Sequence, residues 1–289
     1  MKYPDKPYKY PVEIEISSKC NFKCMWCIHK ILPDRWNDLS LDDFKKIIKF
    51  IKLNKENIDH IWLNGIWEPL LNKNIIEMLD ELLEIKDIPV LLPTKGWKLL
   101  TDKIINKIQE LRNKGLDINV QFCLYSMRKN VLNEICWVDY FDDFFSSIKK
   151  LKSMNFDFTS ELLLTKYTEN EVEYYNKFCK SIWIDSIIHR LHNFWWKLEN
   201  YNDLFVEWKT EPYSFKNWMC WFKPFFNWKW EVTAWTFCGH YNFWYMDKFI
   251  YKWGMIEIID KCYDTIDLNN KYCSKCNDNI LNAKWSFKL

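Results

Sequence analysis

The sequence predicts an α/β fold built on a parallel sheet, with a smaller cysteine-rich unit behind it. Two observations carry that expectation. Six strand-like segments alternate with five helix-like ones from the N-terminus to about residue 200, and strands joined by helices form parallel sheets with right-handed crossovers. Three cysteines, Cys20, Cys24 and Cys27, directly follow the first strand-like run in a C-x3-C-x2-C spacing. Functional groups in parallel α/β architectures gather at the C-terminal ends of strands, which is where this loop falls.

The first strand is expected over 12–17, where Val12-Glu13-Ile14-Glu15-Ile16-Ser17 alternates apolar and polar side chains. A helix over 41–53 starts at Ser40-Leu41-Asp42-Asp43 and repeats apolar residues at Leu41, Phe44, Ile47, Ile48 and Ile51. Further strands are expected at 60–64, 88–94, 118–124, 157–165 and 186–193, and further helices at 73–84, 101–113, 142–154 and 169–181. After about residue 200 the alternation stops, and 213–253 is aromatic, broken and cysteine-bearing. The expected division is a large parallel-sheet domain over 1–200 and a second, small domain over 201–289, in keeping with a length near which single cores stop growing.

Composition excludes several classes. Lys+Arg 41 against Asp+Glu 39 leaves no charge excess to attract nucleic acid or an anionic membrane. The basic, aromatic stretch Lys216 to Lys229 does not outweigh that balance. No apolar run approaches the roughly 18 residues of a membrane span, and the polar Met1-Lys2-Tyr3-Pro4-Asp5 start is not a secretory signal. Eleven cysteines in an unexported chain read as metal ligands, so a reducing, anaerobic cytoplasm is the expected compartment.

There are 18 Trp but only 5 Gly, where average usage predicts roughly 20 glycines. Many tryptophans stand in contexts that suit glycine, such as Arg35-Trp36-Asn37-Asp38, Cys136-Trp137-Val138-Asp139, Ile182-Trp183-Ile184-Asp185 and Lys229-Trp230-Glu231. The expectation is that most are glycines in the functional protein, as in a source that reads UGA as glycine. Trp26, Trp97 and Trp228 sit where an aromatic is suitable. Tryptophan at a turn with positive φ costs about 1–3 kcal/mol, so the chain as written is expected to fold poorly.

A [4Fe–4S] cluster normally takes four thiolates, so three leave one iron open to a small molecule. The alternative, a structural zinc site, favours paired C-x2–4-C units closed by a fourth ligand. The three-cysteine loop resembles that of the radical SAM family, whose open iron chelates the amino and carboxylate groups of S-adenosylmethionine. The expected architecture is then that family's partial (β/α)6 barrel.

Other segments extend the resemblance. Asn64-Gly65-Ile66-Trp67-Glu68-Pro69 is similar to the family's Gly-Gly-Glu-Pro motif, which implies that Gly65 and Glu68 meet the amino group of S-adenosylmethionine. Trp67 departs from the motif and would fill space that the cofactor needs. Thr94-Lys95-Gly96 resembles the Thr-Asn-Gly turn common in the family. Cys123 and Ser126 end the fourth strand where relatives place a polar residue near the ribose. Arg190, in His189-Arg190-Leu191-His192-Asn193, is implied as a fork for the cofactor carboxylate. His192 shares a strand face with Arg190, while His189 points the other way.

Near the C-terminus, Cys220 and Cys238 precede Cys273-Ser274-Lys275-Cys276, and four thiolates from two segments can close a metal site. Phe226 to Val232 between them is shaped like a β-hairpin. This resembles the twitch domain, the shortened form of SPASM, and implies a second, auxiliary [4Fe–4S] cluster serving as electron relay. Cys262 is a spare candidate ligand, and a four-cysteine zinc site is the alternative. Cys136 and Cys179 lack metal-like spacing and read as core.

The resemblance implies a radical SAM enzyme. One electron, from a reductant such as flavodoxin or ferredoxin, cleaves S-adenosylmethionine to a 5′-deoxyadenosyl radical that abstracts substrate hydrogen. The implied substrate is a peptide or protein side chain, or an amino-sugar or cyclitol alcohol. A non-catalytic zinc or iron–sulfur protein is the reading from a different class.

Overall fold

The computed structural model describes residues 9–27, 36–64, 67–190, 225–226 and 232–233. The strands are β1 (Tyr10–Ile14), β2 (Ile58–Trp62), β3 (Val90–Thr94), β4 (Ile118–Leu124), β5 (Phe158–Leu164), β6 (Asp185–Arg190), β7 (Phe225–Phe226) and β8 (Val232–Thr233). The helices are α1 (Leu41–Leu53), α2 (Ile75–Glu81), α3 (Asp102–Asn113), α4 (Lys129–Cys136), α5 (Phe141–Ser153) and α6 (Val172–Ser181). The strands form one sheet in the order β6-β5-β4-β3-β2-β1-β7-β8. β1 to β6 pair in parallel with sequence neighbours adjacent, the parallel sheet that the alternation predicts and the half-barrel that the resemblance implies.

The sheet has two unlike faces. Phe122 and Phe158 are buried, and the Phe122 ring meets Phe144 of α5 at 5.7 Å and Phe158 at 5.2 Å. That face packs under the helices. Along β4 and β5 the alternate residues Asn119, Gln121, Cys123, Thr159 and Glu161 are half-buried on the other, inner face. They interact across the strands: Thr159 donates to Asn119 at 3.0 Å, Gln121 donates to Glu161, and His189 Nδ1 of β6 lies 3.8 Å from Glu161 Oε1. Buried parallel strands usually read as continuous apolar runs, so these polar positions mark an interior built for something other than packing.

Local physics sets the elements. The Ser40 hydroxyl accepts the Asp43 N–H at 3.1 Å to cap α1, and Asp42 and Asp43 favour the positive end of the helix dipole. Phe44, Ile47, Ile48 and Ile51 are buried as their spacing predicts, while Leu41 is half-buried. Differences from expectation fall at ends. β1 stops at Ile14, because Ser17 and Ser18 turn to pair with Asn37 and Asp38. The 73–84 helix breaks into a 3₁₀ turn after Glu81, and the 169–181 helix opens with one. α4 lies outside every predicted element.

β7 pairs in parallel with the free side of β1, and β8 returns antiparallel to it with Phe226 opposite Val232. These four residues are where a hairpin was expected. The rest of 201–289, including Cys220, Cys238, Cys262, Cys273 and Cys276, lies outside the described residues.

Among the described residues, four non-glycines have positive φ: Trp36 (70°), Trp137 (55°), Asn155 (52°) and Trp183 (57°). Asparagine tolerates this region, but tryptophan does not favour it. All three tryptophans are among those for which the sequence predicts glycine. Their rings are exposed, by 59%, 65% and 88% respectively. The penalty at these positions is therefore backbone strain alone, without the overpacking that burial would add.

Candidate thiolate and cofactor site

The loop after β1 carries Cys20, Cys24 and Cys27. Cys24 is buried, and the other two are partly exposed. The loop is fastened from two sides. Lys23 N–H and Met25 N–H donate to the carbonyls of Cys136 and Ile135 at the end of α4, at 3.3 and 2.9 Å. The buried Asn72 amide donates to the carbonyls of Ile16 and Leu39 at the loop's two ends. Cys27 N–H donates to Cys24 O at 2.9 Å, closing a tight turn between those two ligand candidates.

The thiols share one neighbourhood. Burial pushes Cys20 up to about 12, with Cys27 and Glu68 adding to the rise and the Lys95 ammonium opposing it. Cys24 is also raised, first by its hydrogen bond to Cys136, whose Sγ lies 3.9 Å away, and then by burial. Among the described residues no three metal-ligating side chains already converge, and the Cys24 thiol meets Cys136 Sγ. The donor set nevertheless fits a thiolate-bound metal group: three cysteines lie on one tethered loop within electrostatic reach of one another. Thiols this strongly raised ionise readily only when a metal takes the proton's place.

Glu68 lies beside this loop, at the start of the turn that follows β2. Its N–H donates to Lys19 O at 3.0 Å. Its carboxylate accepts Thr94 Oγ1 at 2.7 Å, Lys95 N–H at 2.9 Å and Leu70 N–H at 3.2 Å. Burial pushes its pKa up against the pull of those hydrogen bonds. Trp67 is buried directly ahead of it. Thr94 also accepts Gly96 N–H at 2.9 Å. At Gly96 φ is +70°, and an added Cβ would lie 2.3 Å from Phe122 Cε1, so only glycine fits this turn.

The remaining sequence candidates fall in different places. Cys123 is on the inner face of β4, its pKa raised by burial and then by the Glu161 charge. Ser126 is fully buried and donates to both carboxylate oxygens of Glu171, at 2.8 and 2.9 Å, in a knot that also binds Arg128. Arg190 ends β6 opposite Leu164, and its side chain, like Gly65 and His192, lies outside the described residues. The sequence reading assigned no site role to Lys95, Cys136, Gln121 or Glu161. The available signal was polarity: Gln121 and Glu161 interrupt strands that should be apolar throughout.

A parallel half-barrel with thiols, a buried carboxylate and an ammonium at the C-terminal ends of its first four strands defines an α/β protein with a candidate thiolate site. The radical SAM superfamily profile matches residues 14–179, and the chain belongs to that superfamily. Membership implies one [4Fe–4S] cluster and S-adenosylmethionine.

Similar proteins include a GTP 3′,8-cyclase of Campylobacter jejuni subsp. doylei, 32% identical over 114 residues, covering 39% of this chain and 33% of that one. A tungsten-containing aldehyde ferredoxin oxidoreductase cofactor-modifying protein of Pyrococcus furiosus is 30% identical over 105 residues, covering 36% of this chain and 28% of that one. The chain thus matches about a third of the length of these relatives. Among solved structures, Streptococcus suis SuiB bound to precursor peptide SuiA superposes with a TM-score of 0.68 at 14% identity, covering 94% of this chain and 70% of that one. BtrN in complex with AdoMet and 2-DOIA gives 0.59 at 14% identity, covering 94% of each chain. At such identities the likeness shows the fold.

Proposed function

We propose that this protein uses Cys20, Cys24 and Cys27 to hold a [4Fe–4S] cluster with one open iron, and cleaves S-adenosylmethionine there to act on its substrate by hydrogen abstraction. The observation that carries this reading is the adjacency of the three-cysteine loop to the buried Glu68–Thr94–Lys95 knot. When bound, the cluster and S-adenosylmethionine supply a 5′-deoxyadenosyl radical; the barrel supplies orientation and exclusion of water. Glu68, once ionised, offers a carboxylate to the cofactor's ammonium, and Thr94 holds it in place. The inner-face ladder of Gln121, Glu161 and His189 offers hydrogen bonds to a polar substrate.

Residues 201–289 are read as a twitch-like unit in which Cys220, Cys238, Cys273 and Cys276 bind an auxiliary cluster that relays an electron. The hairpin of β7 and β8 supports this reading. The substrate class is a peptide or protein side chain, or an amino-sugar or cyclitol alcohol. The reductant is a low-potential carrier such as flavodoxin or ferredoxin, and the chain acts in the cytoplasm, free of nucleic acid and membrane.

The test is iron content per chain after anaerobic reconstitution, with 5′-deoxyadenosine assayed after adding dithionite and S-adenosylmethionine. The chain is used as written and with Trp36→Gly, Trp67→Gly, Trp137→Gly and Trp183→Gly. About eight irons with 5′-deoxyadenosine are expected. About four irons would remove the auxiliary cluster. Zinc in place of iron, with no 5′-deoxyadenosine, would favour a non-catalytic metal-binding protein.

A further inference from the structure

We propose that the Lys95 ammonium is the charge partner of the thiolate-bound cluster, placed to favour its one-electron reduction. This role rests on the radical SAM reading of the three cysteines. Lys95 is only 7% exposed. Its Nζ donates to the Cys123 carbonyl at 3.1 Å and sits 2.7 Å from the centroid of the Tyr125 ring, with the Phe22 ring centroid at 6.0 Å. Among the described residues no carboxylate comes within ion-pair distance of Nζ. Glu68, the acidic group of the knot, accepts the Lys95 backbone N–H, and the ammonium's charge is the weakest of the pulls on its carboxylate.

A buried ammonium is costly without an opposing charge. One carbonyl and one aromatic face offset only part of that cost. A closer source of negative charge is at hand in the adjacent loop. Lys95 acts electrostatically on both Cys20 and Cys24, and three thiolates around a metal group bring negative charge to where the ammonium waits.

The potential of an iron–sulfur cluster follows its net charge, the hydrogen bonds to its sulfurs and its exposure. Accepting an electron from a low-potential donor adds one negative charge, and a fixed cation beside the cluster favours that product. No bond or proton at Lys95 changes in the step.

The test is an EPR-monitored potentiometric titration of the reconstituted full chain, comparing wild type with Lys95→Met and Lys95→Arg. Lys95→Met, at unchanged iron content, is expected to shift the midpoint to a more negative potential, and Lys95→Arg to stay near wild type. An unchanged midpoint in Lys95→Met overturns the role, as does an equal shift in Lys95→Arg. If Lys95→Met takes up no iron, Lys95→Gln is titrated in its place, and a wild-type midpoint there overturns the role. Iron uptake lost in both neutral variants but kept in Lys95→Arg supports it. A chain that binds no iron either as written or with Trp36→Gly, Trp67→Gly, Trp137→Gly and Trp183→Gly fails at the three cysteines themselves and removes this role with them.

Discussion

Glu68 joins three strand ends through one side chain and one N–H. Its carboxylate takes the Thr94 hydroxyl and the Lys95 N–H beyond β3, while its own N–H reaches Lys19 beyond β1. Burial raises its pKa above the ordinary 4.5, and the hydrogen bonds recover only part of the shift. A carboxyl whose folded pKa exceeds its unfolded value binds its proton more tightly in the folded chain. Its contribution to stability is therefore complete below the unfolded value and is lost as pH rises through the folded one. Glu68→Gln removes that dependence and forfeits one acceptor, for about 1 kcal/mol at low pH. In metal-free protein the stability gap between wild type and Glu68→Gln should move in the variant's favour as pH rises from about 4 to 8. Urea midpoints across that range check this, and a constant gap would show that burial does not dominate at Glu68. This residue and Thr94 were legible in the sequence because they lie in short contiguous motifs. Lys95, Glu161 and Cys136 were not, because their meaning depends on neighbours 28 to 112 residues away, as in Lys95 with Cys123 and Cys24 with Cys136.

Helix ends show the same physics at the scale of elements. α3, α5 and α6 terminate alike: the last N–H beyond each helix reaches back to a carbonyl five residues earlier, in Leu116 to Leu111, Phe156 to Leu151 and Ile184 to Cys179. Each closure needs a left-handed residue just before that N–H, and the three are Gly115, Asn155 and Trp183. Glycine and asparagine are the usual occupants of this position, which makes Trp183 the misfit. Its ring is 88% exposed, so glycine there gives up little packing. Trp183→Gly should stabilise the chain by about 1 kcal/mol, relieving the left-handed penalty of a side-chain-bearing residue. Trp26→Gly should instead cost about 3–5 kcal/mol, since Trp26 is buried with its ring 4.7 Å from that of Tyr125. Denaturant unfolding of both variants separates strained tryptophans from packed ones, and a loss of stability in Trp183→Gly would end the glycine reading at that position. The spacing of apolar residues made α1 and β4 legible at both ends. α4 was missed because Arg128 supplies no side-chain cap and Trp137 hides the stop signal that glycine would give.

At the scale of the whole molecule, the open question is whether the chain beyond residue 200 stands apart from the barrel. The expected boundary treats it as a separate unit, yet β7 adds to the barrel's own sheet beside β1, the strand that leads into the three-cysteine loop. Phe226 is fully buried in the core, its ring centroid 6.0 Å from that of Phe50 in α1, and its carbonyl accepts Glu15 N–H at 2.7 Å. β1 is thus held on both sides, by β2 and by β7, just before the three-cysteine loop. Phe226→Ala should cost about 3–5 kcal/mol, a large share of the ~5–15 kcal/mol that keeps a domain folded. Because Phe226 packs on α1, the loss should appear as a lower midpoint for the barrel's own transition, together with faster loss of iron to a chelator from the reconstituted chain. Urea unfolding by circular dichroism and chelator-trapped iron release measure the two effects. An unchanged barrel transition, with only a small early phase lost, would mean that the hairpin rests on the sheet as a detachable piece, and that the cysteine loop draws its rigidity from β2, α4 and Asn72 alone.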